Sequence, residues 1–103
     1  MLLSGDRVVF VDWPHACTGA AVADVVFLAP SVAMQGGPPP EEILAMTRSG
    51  RGAARETVAA AVCVVAGYFT EGSLRPPPPG LPTVRAFQAA QGEIARRWLA
   101  ELI

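Results

Sequence analysis

Arg7-Val8-Val9-Phe10-Val11-Asp12-Trp13-Pro14 is the stretch on which the fold reading turns. Its β-branched and aromatic residues, with no polar alternation, predict a strand buried on both faces. Pro14 has no amide hydrogen and stops the ladder, so Asp12 falls at the strand's C-terminal end. Upstream, Ser4-Gly5-Asp6 reads as a turn with glycine available for positive φ, and Leu2-Leu3 as the partner strand. Residues 1–12 therefore predict a hairpin. Two strands are not stable alone, so this hairpin must pack on the helices that follow or on another part of the protein.

Downstream the pattern turns helical over 18–103. Thr18 is the expected N-cap of a helix through Leu28, and Pro30 should kink or end it, because its ring clashes with the carbonyl of Val26. Pro40-Glu41-Glu42 opens a short helix to about Arg48, with proline in the first turn and two carboxylates favoured by the dipole. Thr47 to Gly52 reads as a Gly/Arg loop. An alanine-rich helix from Ala53 to Phe69 is apolar on nearly all sides and is expected to be buried. Pro76–Pro79 is a stiff connector. Thr83 then caps a terminal helix with Val84, Phe87, Ala90, Ile94, Trp98 and Leu102 inward and Arg85, Gln88, Glu93, Arg97 and Glu101 outward. The fold class is α+β and mostly α: a short hairpin followed by about four helices, one domain over 1–103.

Composition narrows the chemistry. The 103 residues are 51% hydrophobic and 17% charged, which suits a core-forming chain. All eight basic residues are Arg, and the chain has no Lys and no Asn. Chemistry that needs a lysine amine cannot be completed here. A formal net charge of -1, with dispersed arginines, gives no footprint for nucleic acid. No apolar run approaches the roughly 20 residues of a membrane span. The opening residues lack the features of a signal peptide, so the expected setting is cytoplasmic, with Cys17 and Cys63 as reduced core thiols.

Four groups are candidates for chemistry. Asp12, held at a strand end, suits a hard cation such as Mg²⁺. Asp24 interrupts an apolar helix face, so it either points to solvent or grips backbone amides of a neighbouring loop. His15, Cys17 and Cys63 are too few and wrongly spaced for a zinc site. The proline run reads as a spacer rather than an SH3-type ligand.

Val9-Phe10-Val11-Asp12-Trp13, followed by Ala16, Gly19 and Asp24-Val25, resembles the region after the catalytic loop of the kinase-like aminoglycoside phosphotransferase family. The later helices, the proline link and the closing amphipathic helix look like that family's C-terminal helical subdomain. The resemblance implies an enzyme that transfers the ATP γ-phosphate to a small-molecule hydroxyl. Asp12 would be its magnesium aspartate, Trp13 the aromatic packed beneath the site, and Asp24 the brace of the catalytic-loop backbone. Pro14 stands where the family usually has Glu, which leaves the role of His15 open.

The family's His-x-Asp-x-x-x-x-Asn loop should end immediately before Leu2, and its nucleotide-binding lobe should precede that. The expectation is therefore a C-terminal portion that lacks the catalytic base, is inactive alone and binds neither Mg²⁺ nor ATP tightly. Its partner would be the missing N-terminal part of the same enzyme or a self-partner. The family's acceptor pocket would draw on helices around Met34–Met46 and the final pair. Glu41, Glu42 and Glu56 fit its acidity, and fit solvated helix ends equally well. The alternative is a non-catalytic helical interaction module or homodimer.

Overall fold

The computed structural model describes residues 2–9 and 18–103. Strands β1 (Leu2–Ser4) and β2 (Arg7–Val9) pair antiparallel, with Leu2 opposite Val9, Leu3 opposite Val8 and Ser4 opposite Arg7. Gly5 opens the two-residue turn with φ 62°, a conformation that glycine adopts without steric cost. The hairpin is thus where the sequence places it, but its burial differs from expectation. Leu3 is 77% and Val8 52% exposed, so β2 is not covered on both faces. Phe10 and Val11 lie outside the described residues.

Five helices follow among the described residues, one more than the expected four. They are α1 (Ala23–Met34), α2 (Pro40–Ala45), α3 (Arg48–Gly52), α4 (Arg55–Ser73) and α5 (Val84–Leu102). The helix expected from Thr18 begins five residues later, and Thr18 is exposed irregular chain.

Nor does Pro30 end α1, which continues to Met34 with the Pro30 ring buried in the core. Val22, Val26 and Ala29 recur at helical spacing beside it. Their packing overrides the local preference of proline. The helix closes in a Schellman arrangement: Gly36, at φ 92°, donates to the Ala33 carbonyl, and Gly37 to that of Val32. A Cβ on Gly37 would stand 2.8 Å from the Val32 oxygen, so both glycines are required by geometry.

The Gly/Arg segment read as a loop contains α3. Thr47 is in extended backbone at its N-cap. Its Oγ1 accepts from the Gly50 amide at 3.0 Å and donates to the Leu44 carbonyl at 3.1 Å. A Cβ at position 50 would lie 2.2 Å from that same carbonyl oxygen. The cap and the close approach together turn a glycine-rich segment into one helical turn.

The core lies where α1, α2, α4 and α5 meet. Val26, Ala29, Val62, Val65 and Ala95 are fully buried, with Ile43, Leu44, Phe69 and Trp98 around them. Two polar contacts pin α5 to its neighbours. Gln91, itself buried, donates to the Ser31 hydroxyl of α1, and the Trp98 indole donates to Glu41 Oε1 of α2 at 2.9 Å. The inward stripe of α5 is rotated from the predicted one: Gln91, Gly92, Ala95 and Trp98 are buried, whereas Phe87 is exposed. Thr83 holds the N-cap position without a side-chain cap bond.

Helix α4 departs furthest from the reading of its composition. It is apolar on almost every side, yet only one face is buried. Val58, Val62, Val65, Ala66 and Phe69 face the core, while Cys63, Val64 and Tyr68 face outward. Cys63 is therefore an exposed thiol rather than a core residue.

Candidate functional site

Asp12, Trp13, Pro14, His15, Ala16 and Cys17 lie outside the described residues, so the metal aspartate and its aromatic neighbour have no described geometry. Of the residues singled out in sequence, Asp24 is placed. It stands in the first turn of α1 and is exposed. A carboxylate there interacts favourably with the unpaired amides of the helix start. Of the two alternatives read from the sequence, the exposed position is the solvent-facing one.

The acidic residues separate into different roles. Glu42 and Glu56 are exposed near helix starts. Glu41 is instead fixed by the Trp98 indole, which ties α2 to α5. It also borders two cavities. One, of about 300 Å³, is lined by Glu41, Leu44, Arg51, Arg55, Val58 and Leu102, among others. Its arginines already have partners: Arg51 donates to the Ala45 carbonyl at 3.0 Å and Arg55 to the Glu101 carbonyl at 3.0 Å. Each closes the C-terminal end of a helix, where unpaired carbonyls attract cations.

The second cavity, of about 360 Å³, lies between the start of α2 and α5 and is lined by Pro39, Pro40, Ile94, Trp98, Arg97 and two glutamates, Glu41 and Glu101. Both cavities are at the small end of the range that holds a ligand. Among the described residues, no group of three or more His, Cys, Asp or Glu side chains is placed to hold a metal ion. No described helix is long and apolar enough to cross a membrane.

Sequence reasoning missed the Glu41–Trp98 bond and the two arginine closures. No local signal encodes them. Glu41 and Trp98 are separated by 57 positions, and Arg55 and Glu101 by 46. It also missed the outward apolar residues of α4, for which the signal was present: a helix apolar all round needs cover all round. No family model, curated protein or solved structure matches the chain.

Proposed function

We propose that the chain is the C-terminal portion of an aminoglycoside-phosphotransferase-like enzyme, one that transfers the γ-phosphate of ATP to a hydroxyl of a small molecule. The observation that carries this reading is the spacing Val9-Phe10-Val11-Asp12-Trp13 through Asp24-Val25, directly followed by a helical remainder. In it Asp12 contributes a carboxylate to magnesium, Trp13 packs beneath the site, and Asp24 braces the catalytic-loop backbone. The exposure of Asp24 leaves its carboxylate free for such a contact. The cavity between α2 and α5, with Glu41 and Glu101 at its edge, fits the expected place and charge of an acceptor pocket.

The described residues do not by themselves make a magnesium site. Magnesium takes six oxygen ligands, drawn from one or two carboxylates, substrate phosphates and water. Phosphoryl transfer further requires several charge-stabilising groups acting together. With no Lys and no Asn, this chain lacks the phosphate-contacting lysine and the second magnesium ligand of the family pattern. It is therefore inactive alone. ATP turnover by purified 1–103 that disappears in Asp12→Ala would overturn that statement. The family reading itself is tested by translating the DNA in frame upstream of Met1. His-x-Asp-x-x-x-x-Asn ending just before Leu2 is the expected result, and a stop-rich stretch counts against it.

A second reading, a non-catalytic interaction module, is favoured by one specific observation: the apolar residues that α4 presents to solvent.

A further inference from the structure

The solvent side of α4 is made of Ala60, Cys63, Val64, Gly67 and Tyr68, and Phe27 and Leu28 of α1 continue it. The Phe27 and Tyr68 rings meet edge to face, with centroids 6.1 Å apart, so the two helices form one surface. Residues 57–70 contain no charged side chain. At 1.5 Å per residue this makes an uncharged ridge roughly 20 Å long.

We propose that this face is the interface of a homodimer, with the α4 helices of two copies crossing antiparallel near Val64. Area is the first argument. Phe27, Leu28, Val64 and Tyr68 are 41%, 57%, 63% and 58% exposed, which leaves on the order of 400 Å² open, given roughly 150–250 Å² for an aromatic side chain. With the intervening small residues, each copy offers at most roughly 600 Å², so full coverage by the second copy would bury ~1,200 Å², the lower bound of a specific, stable interface.

Self-complementarity is the second. About a two-fold axis at Val64, residue pairs sum to twice that number, so Ala60 of one copy sits opposite the partner's Tyr68. A small residue then meets a large one on both sides of the axis, as an isologous contact requires. A Cβ at Gly67 would meet nothing within 4 Å, so space for close approach exists there. Charge is the third. Arg55 with Glu56 closes one end of the ridge and Glu71 with Arg75 the other, each a neutral pair. No net repulsion opposes association.

This inference does not rest on phosphoryl transfer. Sedimentation equilibrium on the 103-residue chain, from micromolar to submillimolar concentration, should show a reversible dimer. Val64→Glu should raise its dissociation constant roughly tenfold or more, because each copy would bury an unpaired carboxylate. Leu28→Glu, on the other helix, should do the same. Leu74→Glu, at a position 82% exposed beyond the end of α4, should leave association unchanged. Circular dichroism checks that each variant keeps its helices. A monomer at every concentration overturns the proposal, as does a dimer indifferent to both face variants or equally weakened by Leu74→Glu.

Discussion

Helices α4 and α5 are each 19 residues long and pack along one another, but they meet water differently. The outer side of α5 carries Glu93, Arg96, Arg97 and Glu101, with Arg97 and Glu93 paired at 2.6 Å. The outer side of α4 carries Ala60, Cys63, Val64, Gly67 and Tyr68. Each helix buries one stripe against the core, six residues of α4 and four of α5, so the need for a buried face does not account for the contrast on the outer sides. A solvent face of charge is what a helix needs when water is its only neighbour. An uncharged one is what it needs when another protein surface covers it.

The comparison can be broken at the shared core first. Trp98→Ala removes the largest buried side chain of α5 and leaves Glu41 without its donor, so unfolding in urea should show a loss of about 3–5 kcal/mol. The matching truncation in α4, Val62→Ala at a fully buried position, should cost less, about 2 kcal/mol by the same measurement. Were the α4 change the larger, α4 rather than α5 would anchor the core.

Two glycines sharpen the contrast with opposite signs. At Gly92 of α5 a Cβ would stand 3.0 Å from Thr70 Oγ1 and 3.2 Å from the Thr70 amide nitrogen of α4. Gly92→Ala should therefore push the two helices apart and destabilise by about 1 kcal/mol despite the helix preference of alanine. Gly67 of α4 has open space around it, so Gly67→Ala should stabilise the monomer by about 0.5–1 kcal/mol, measured by thermal unfolding at low concentration. Smallest of all, Arg97→Ala breaks an exposed i,i+4 pair and should change stability by no more than about 0.5 kcal/mol, less still in high salt.

Legibility in the sequence followed the range of the interactions involved. The Ser4-Gly5-Asp6 turn, the proline-opened start of α2 and the span of α5 rest on neighbours a few positions apart, and each is found where the sequence puts it, although α2 ends at Ala45 rather than near Arg48. Where a distant contact decided between local alternatives, the sequence left them open. Pro30, read as kinking or ending α1, stays within it because its ring is buried against the core. The Gly/Arg segment is an exception at short range: read as a loop, it becomes helical because Thr47 bridges Leu44 and Gly50, each three positions away. Of the candidate site, Asp24 and the glutamates have described positions. The roles proposed for Asp12, Trp13 and Asp24 come from the spacing of residues 9–25.

By itself, then, the sequence determined the hairpin turn, the mostly helical class and the chemical limits set by having neither Lys nor Asn. Those properties need only composition, period and adjacent residues. Tertiary structure decided which side of α4 is buried, that Cys63 is exposed, and that Glu41 holds α5 through Trp98. An all-apolar helix carries no period to mark its inner face, so only the positions of α1 and α5 select it.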